Sequence, residues 1–345
     1  MNNKKTISIF VPHSGCPNDC IFCNQKKITG VSSLVGPEEA EKVILESLNT
    51  IPKDADIEIA FFGGSFTAIE IEHQELLLDV AMKYKKEYNI VDVRLSTRPD
   101  AINQEILDFL KTKEVTIIEL GVQSLDEEVL INSNRGHNST CVYESSELIL
   151  KNGFKLGLQM MLGLPGDSVE KVLYTAEEFV KISPNFVRIY PVLVIKDTEL
   201  ESLFKSKVYE PWSIEQTVET CKEIYLKFAK NNIKVIRIGL QTSEDITIGR
   251  DVVAGPFHPS IGEMVYSRVF RDIIENYIKE NKSNDFCGSI EIKTSKNNIS
   301  KIVGNKKSNR LYFKDNYNII LDLVDSYLED TLVIDGENID ISFLK

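Results

Sequence analysis

Short apolar runs alternate with longer amphipathic segments from the amino-terminal end of the chain to about residue 240. The runs have the continuous apolar character of buried parallel strands, whereas the segments between them repeat apolar residues with helical periodicity. The predicted strands are 7–12, 57–64, 91–97, 116–123, 154–161, 186–194 and 234–241. The predicted helices include 38–49, 72–88, 103–111, 140–152, 168–182 and 213–231, and Ser168 and Ser213 are typical N-cap residues at two of them.

This repeated strand–helix order predicts a parallel sheet with helices on its faces, either closed as a barrel or open. Most of the predicted strands end in Gly, Ser, Gln or Pro and are followed by polar loops. In such folds the chemistry takes place at the carboxyl ends of the strands. The loop after the first strand contains HSGCPNDCIFC, His13 to Cys23, with three of the six cysteines, so we expect an active site there.

The composition is that of a globular protein with a large core. Of the 345 residues, 42% are hydrophobic, which is enough for one large domain with an appendage or for two domains. The chain has no run of about 18 apolar residues and does not start with an apolar secretory leader, so we expect a cytoplasmic protein without a membrane span. Thiols stay reduced in that compartment, and clustered cysteines there indicate metal binding or catalysis rather than a disulfide.

The clustered cysteines have the spacing Cys16-xxx-Cys20-xx-Cys23. Structural zinc takes four ligands, and His13 could be the fourth in a Cys₃His site. Three thiolates instead suit a [4Fe–4S] cluster in which one iron keeps an open coordination position, as catalytic metal sites do. The other cysteines are isolated in the sequence and are expected to be buried small hydrophobes: Cys141, Cys221 and Cys287.

A CxxxCxxC motif with an aromatic residue, Phe22, before its last cysteine resembles the radical S-adenosylmethionine (SAM) superfamily. The resemblance implies that Cys16, Cys20 and Cys23 ligate a [4Fe–4S] cluster whose open iron is chelated by the amine and carboxylate of SAM. It also implies reductive cleavage of SAM to a 5′-deoxyadenosyl radical, with an electron donor such as flavodoxin or ferredoxin. The implied α/β fold is a partial (β/α)6 TIM-type barrel.

Within the superfamily, residues 7–240 are most similar to the radical SAM core of the Elongator catalytic subunit, elongator protein three. The segments that carry this similarity follow in order: IFVPHSGCPNDCIFCNQKKITG, FFGGSF, STRPD, LGVQSLDEEVLINSNRGH, GFKLGLQMMLGLP and VRIYPVLVIKDTEL. Nothing after Leu240 resembles the acetyltransferase domain of that family, so acetyl-CoA chemistry is not predicted. We expect a radical SAM core at 1–240 and a small α+β extension at 241–345.

The resemblance also implies residues that contact the methionine part of SAM. Gly63, Gly64 and Ser65 end the second strand, where two glycines without Cβ atoms let the backbone approach the methionine amine. Ser96 stands where related chains often have a glutamate that meets this amine.

Further implied contacts lie on the next strands. Gln123 and Arg135 follow the fourth strand, where relatives place side chains against the ribose and carboxylate of SAM, and Arg can hold a carboxylate with two hydrogen bonds. Gln159 on the fifth strand is a candidate adenosine contact. No acid–base pair stands out, and three residues in later loops or strand ends are candidates for substrate contact: Tyr190, Lys196 and His258.

The net charge of −12 conceals a basic segment near the carboxyl-terminal end. Residues 282–314 contain eight Lys or Arg and two acids, whereas 315–345 contain eight acids and one Lys. The basic residues, together with Tyr312 and Phe313, could follow a phosphate backbone and stack bases, or could form a solvated face neutralised by the acidic tail. If tRNA binds here, the predicted contacts are Lys301, Lys306, Lys307 and Arg310.

Three hypotheses follow from the sequence. The first is a radical SAM enzyme that modifies tRNA, at a wobble uridine as the Elongator resemblance implies. The second is a radical SAM enzyme that acts on a small molecule such as a porphyrin, because oxygen-independent coproporphyrinogen oxidases share GVQ and GLP in the same strands. The third is a non-enzymatic zinc module built on Cys16, Cys20, Cys23 and His13.

Overall fold

A parallel sheet of seven strands curls into a half-barrel in the computed structural model, which describes residues 4–11, 20–24, 35–85, 87–240, 246–283 and 285–344. The strands are β1 (Lys4–Phe10), β2 (Asp56–Phe62), β3 (Ile90–Thr97), β4 (Ile117–Gln123), β5 (Lys155–Leu162), β6 (Phe186–Pro191) and β8 (Lys234–Ile238). They lie side by side in chain order. Two further short strands, β7 (Val194–Ile195) and β9 (Val252–Ala254), pair antiparallel beyond the end of β6.

The strands alternate with helices, most of which pack on the outer face of the sheet. They are α1 (Pro37–Leu48), α2 (Ile71–Lys85), α3 (Gln104–Thr112), α4 (Glu127–Asn132), α5 (Ser139–Lys151), α6 (Val169–Ile182), α7 (Glu199–Lys205) and α8 (Ile214–Lys230). In six of them the first turn is held by a side chain that accepts a backbone N–H, and two of these are the predicted caps Ser168 and Ser213. All seven predicted strands and all six predicted helices are confirmed, while the short helices α4 and α7 were not predicted.

The alternation of side chains along the strands separates an apolar outer face from a polar interior. Ile59 and Phe61 of β2 are buried in the cluster beneath the helices. Because successive side chains of a strand point to opposite faces, Glu58 faces the interior of the half-barrel. The predicted α/β partial barrel of the radical SAM type is confirmed, with β8 as an additional strand beside β6.

A second, smaller α+β unit follows the half-barrel. Its elements are α9 (Ile261–Asn281), β10 (Gly288–Thr294), α10 (Lys296–Val303), α11 (Ser308–Tyr317), β11 (Ile319–Asp325), β12 (Thr331–Ile334) and β13 (Glu337–Asp340). The strand order is β11-β10-β12-β13, with β10 and β11 parallel and the other pairs antiparallel. Ile290, Ile302 and Phe313 belong to its own buried cluster.

Helix α9 packs against both parts of the molecule. Val265 and Val269 belong to the core of the half-barrel, whereas Phe270 and Ile274 belong to the core of the smaller unit. The expected boundary between 240 and 241 falls next to residues 241–245, which lie outside the described ranges, and it stays a prediction.

Two expectations about individual side chains are wrong. Cys221 is buried as expected, but Cys287 is exposed and Cys141 is only partly buried. Phe313 is fully buried in the core of the smaller unit, so it cannot stack on a base. Within the described ranges, no helix has the length and apolar character needed to cross a membrane.

Candidate functional site

Parallel pairing places the carboxyl ends of β2 to β6 at one rim of the half-barrel. The predicted SAM residues of three neighbouring strands lie along this rim: Gly63–Ser65 after β2, Ser96 in β3 and Gln123 at the end of β4. Gln159 of β5 lies deeper, against Glu119. The fold therefore brings together positions that are far apart in the sequence.

The second half of the cysteine loop is fixed from two sides. The Cys23 N–H donates to the Cys20 carbonyl at 2.9 Å, and the Ile21 N–H donates to the Ser133 carbonyl at 3.2 Å. On the other side, the Ile21 carbonyl accepts the Leu200 N–H at 2.8 Å. Cys20 is consequently buried beside α4 and α7, while the predicted ligand Cys16 and the alternative ligand His13 lie outside the described residues.

Arg135 connects the cysteine loop to the end of β4. Its Nη1 donates to Sγ of Cys20 at 3.3 Å, and its Nη2 donates to the carbonyl oxygen of Gly121. A Cβ atom at position 121 would lie 3.1 Å from Nη2, so glycine allows the guanidinium to come this close. The carbonyl of Arg135 in turn accepts from Nη2 of Arg98 at 2.7 Å. This places a buried positive charge beside a predicted cluster ligand.

The glycine turn after β2 has the backbone freedom that its sequence predicts. Gly63 and Gly64 have φ angles of 83° and 48°, which favour glycine. The hydroxyl of Ser65 is engaged by the end of β3, since it lies 2.9 Å from Oγ1 of Thr97 and accepts the Arg98 N–H at 3.1 Å. A cofactor contact at this turn would therefore come from the backbone of the glycines.

Three polar atoms at the rim are buried without a hydrogen-bond partner: Oγ of Ser96, Oε1 of Gln123 and Nε of Arg135. Gln123 also has a φ angle of 77°, which is unusual for a residue other than glycine and coincides with a register shift between β4 and β5. Buried polar atoms normally have partners, and strained backbone is concentrated at functional sites. The unpaired polar atoms of this rim thus fit a polar ligand bound beside Cys20.

Buried charges form a ladder across the interior of the half-barrel, below the rim. Arg94 of β3 pairs with Glu58 of β2, and its Nη1 lies 3.2 Å from Oε2 of Glu119 in β4. Glu119 also lies 3.1 Å from Nε of Arg188 in β6. Burial opposes ionisation of Glu58, but the hydrogen bonds and charges of Arg94 and Lys4 hold its pKa below the ordinary value.

Gln159 and Tyr190 contact this ladder. Nε2 of Gln159 donates to Glu119, and Nη1 of Arg188 donates to the hydroxyl of Tyr190 at 3.2 Å. Burial raises the pKa of Tyr190, although the charge of Arg188 opposes the shift, so Tyr190 stays a neutral phenol.

The other two candidates for substrate contact lie along a path from the cysteine loop that consists of two hydrogen bonds and the chain from Asp251 to His258. Nδ2 of Asn24 donates to the Lys196 carbonyl at 3.1 Å, and the Lys196 N–H donates to the Asp251 carbonyl at 2.9 Å. Asp251 leads into β9 and then to His258, whose Nδ1 accepts the Ser260 N–H at 3.0 Å. The structure places Lys196 beside the cysteine loop and His258 farther along this path.

The path ends at the basic segment, which is divided by the fold. The side-chain amide of Asn305 lies 3.1 Å from Nε2 of His258. Lys306, Lys307 and Arg310 are exposed beside it, whereas Nζ of Lys301 lies over the ring of Tyr266 at 5.0 Å. Lys301 is thus only partly exposed, unlike the other three predicted tRNA contacts.

Family comparison agrees with this site. The family model described as the Radical SAM superfamily matches residues 10–179, and the model described as the Radical_SAM C-terminal domain matches residues 184–271. The chain belongs to the radical SAM superfamily and is an enzyme of that class. This membership sets aside the non-enzymatic zinc module.

Curated relatives confirm the predicted resemblance to the Elongator catalytic subunit. The tRNA uridine(34) acetyltransferase of Methanocaldococcus infernus is 26% identical over 305 residues, covering 75% of this chain and 55% of that protein. Elongator complex protein 3 of Homo sapiens is 30% identical over 201 residues, covering 52% of this chain and 37% of that protein. The chain spans about half the length of the first of these relatives and a smaller share, 37%, of the second.

Solved structures share the fold. The archaeal Methanocaldococcus infernus Elp3 with an N-terminal deletion superposes with a TM-score of 0.63 at 24% identity, covering 81% of this chain and 63% of that chain. Native anSMEcpe with bound AdoMet and a peptide superposes with a TM-score of 0.51 at 16% identity, covering 67% of this chain and 64% of that chain.

Sequence reasoning did not identify the interior ladder as part of the site. Glu58, Glu119 and Arg188 are each the one charged residue of an apolar predicted strand, and Arg94 shares its strand with Asp92; they were interpreted only as part of the strand pattern. A charge inside a buried strand is itself a signal, because such a charge needs a partner. Charges at these positions of β2, β3, β4 and β6 would have indicated a polar barrel interior.

Proposed function

We propose that this enzyme carries a [4Fe–4S] cluster on Cys16, Cys20 and Cys23, binds SAM at the rim and modifies tRNA at a wobble uridine. When bound, the cluster and SAM supply the electron transfer and the radical chemistry of the superfamily. Arg135, Gln123 and the glycine turn bind and orient SAM. A reduced flavodoxin or ferredoxin is the proposed electron donor.

One observation carries the proposal for the cofactors. Arg135 touches Sγ of Cys20 at 3.3 Å and still has a buried Nε without a partner, next to the strained and unsatisfied Gln123. Buried polar atoms normally have partners, and both features suit a ligand with a carboxylate and hydroxyl groups.

Two observations support tRNA as the substrate. The M. infernus relative is named for an activity on tRNA uridine(34). In addition, Lys306, Lys307 and Arg310 are exposed cations, and the amide of Asn305 beside them lies 3.1 Å from Nε2 of the substrate candidate His258. Exposed cations of this kind suit a polyanion such as tRNA.

The cofactor proposal predicts about four irons per chain after anaerobic reconstitution with iron and sulfide. Cys16→Ala, Cys20→Ala and Cys23→Ala should each abolish reductive SAM cleavage, measured as release of 5′-deoxyadenosine. The matched control is Cys287→Ala, because Cys287 is exposed in the smaller unit. A protein that contains one zinc and takes up no iron would refute the proposal, and loss of the cluster in the control would show a fourth ligand.

The substrate proposal is tested separately with the loaded enzyme. Added tRNA should change the rate of SAM cleavage, and tRNA nucleosides from cells with and without the gene should differ by one modified uridine in a mass-spectrometric comparison. If the rate of SAM cleavage does not change with tRNA and the nucleosides are identical, the results would point to a small-molecule substrate instead.

A further inference from the structure

A four-residue loop joins the two helices of the smaller unit. Helix α10 ends at Val303 and α11 begins at Ser308, so the loop is Gly304, Asn305, Lys306 and Lys307. The flanking strands β10 and β11 pair in parallel, and Ile302 and Phe313 of the two helices are buried in the same cluster as both strands. The loop is therefore presented by a β-α-loop-α-β unit with a core of its own.

The loop backbone is strained and tightly held. Lys306 and Lys307 have φ angles of 51° and 63°, and left-handed backbone costs residues other than glycine about 1–2 kcal/mol each. A Cβ atom at Gly304 would lie 2.4 Å from Oγ of Ser308 and 3.0 Å from the backbone nitrogen of Asn309. Strain that persists in a well-held loop points to a function of that loop.

The loop is anchored from below by the buried side chain of Asn309. Its Nδ2 donates to the carbonyls of Ser267 at 2.8 Å and of Ile302 at 3.1 Å, and its Oδ1 accepts from Nε of Arg271 at 2.9 Å. These bonds join α9, α10 and α11 directly beneath the loop, so its conformation is set by the whole unit.

The positive charges of this loop lie at the amino-terminal end of α11, which itself carries a partial positive charge. The amino-terminal end of α11 has no side-chain cap and no acid in its first turn, and Lys306, Lys307 and Arg310 surround it instead. A helix amino terminus carries a partial positive charge and favours anions. Lys282 and Lys293 pair with Asp335 and Glu291, whereas these three cations form no ion pair with any described residue. An external anion would relieve the repulsion.

We propose that the loop 304–307 clamps the sugar–phosphate backbone of a single-stranded segment of the RNA substrate. KH modules bind RNA with a G-x-x-G loop that grips the backbone of four nucleotides. The sequence here is G-N-K-K, and Lys307 at the fourth position has the left-handed backbone that glycine would adopt. The compact loop suits a single strand, since duplex RNA is bound across two successive grooves. This inference rests on the proposed tRNA substrate.

The test uses the full-length, cluster-loaded protein and a labelled single-stranded RNA of roughly ten nucleotides. The variant Lys306→Asn/Lys307→Asn removes both charges and keeps residues that tolerate left-handed backbone. Its affinity should fall at least about tenfold at low salt, and the slope of log affinity against log salt should decrease by about 1.4, since each single-strand phosphate contact contributes about 0.7. A second variant, Lys307→Gly, should fold without the strain at that position. Its slope should decrease by about 0.7, because one phosphate contact is lost.

The matched control is Lys151→Asn/Lys181→Asn, which removes two exposed lysines at the carboxyl ends of α5 and α6, outside the smaller unit. It should bind the single strand like the wild type. Unchanged slopes in both loop variants, or equal competition by a duplex of the same sequence, would overturn the inference.

Failure of the inference and failure of the proposed substrate give different results. If tRNA accelerates SAM cleavage but the loop variants bind the single strand normally, the loop proposal is wrong and the substrate proposal stands. If the loop variants lose single-strand binding but tRNA has no effect on SAM cleavage and no nucleoside changes, the loop binds single-stranded RNA and the tRNA substrate proposal is wrong.

Discussion

At the scale of single residues, burial shifts two pKa values in opposite directions at the rim. Burial, assisted by the charge of Arg135, lowers the pKa of His137 to about 4 in the segment between α4 and α5. Burial raises the pKa of Asp167 to about 6 in the segment between β5 and α6, although the N–H groups of Gly163 and Ser168 partly oppose this shift. Both groups are therefore held closer to neutrality than in water.

The two shifts predict opposite dependences of stability on pH. His137 has a folded pKa below its ordinary value of 6.5, so its stabilising contribution is full above pH 6.5 and is lost as the pH falls toward 4. Asp167 has a folded pKa above its ordinary value of 3.8, so its contribution is present below about pH 4 and is lost as the pH rises through 6. As the pH falls from 6.5 to 4, His137→Asn should become more stable relative to wild type. As the pH falls from 6 to 4, Asp167→Asn should become less stable relative to wild type.

Urea unfolding followed by far-ultraviolet circular dichroism across this pH range measures both differences. Comparison with wild type at each pH cancels the titration of all other groups. If the free energy of unfolding of a variant differs from that of wild type by the same amount at every pH, its residue titrates normally in the folded protein.

At the scale of elements, the interior ladder makes the sheet depend on buried charge. Glu119 is fully buried and contacts Arg94, Arg188 and Gln159. Removal of one partner from a buried ionic network leaves uncompensated charge and costs about 3–5 kcal/mol. Glu119→Gln should therefore lower the free energy of unfolding by about this amount, measured by urea denaturation.

The control for this prediction is Glu147→Gln, which breaks the ion pair between Glu147 and Lys151 on the surface of α5. Both side chains of that pair are about two-thirds exposed, at 66% and 67%, so the change should stay within about 1 kcal/mol. Equal effects of the two substitutions would mean that the ladder adds nothing beyond an ordinary surface pair.

The elements also show how far sequence reasoning reaches. Strands such as β4 and helices such as α6 were predicted because apolar continuity and helical period are properties of one segment. The ladder was missed because Arg94 and Glu119 meet only when β3 and β4 pair in register. The same limit applies to the site: the turn at Gly63 was predicted, but the engagement of the Ser65 hydroxyl depends on Thr97 of a neighbouring strand.

At the scale of the whole molecule, α9 and the carboxyl-terminal residues join the two units. Val269 packs into the core of the half-barrel and the adjacent Phe270 into the core of the smaller unit. The hydroxyl of Tyr225 in α8 donates to the carbonyl of Leu344 at 2.8 Å. Lys222 of α8 also pairs with Asp272 of α9 at 2.6 Å. The RNA-clamping loop proposed above is thus held by elements that also pack on the barrel.

This shared helix predicts that the two units unfold together. The single tryptophan, Trp212, packs against Gly163 of the half-barrel, so its fluorescence reports that part alone, whereas circular dichroism reports the whole chain. The two unfolding curves should coincide. Ile274→Ala removes a fully buried side chain of α9 from the smaller unit and should shift both curves by about 2–5 kcal/mol, while Val208→Ala, at a position 74% exposed, should shift neither. If Ile274→Ala shifted the unfolding curve followed by circular dichroism but not the curve followed by Trp212 fluorescence, the two units would unfold independently. Helix α9 would then act only as a connector.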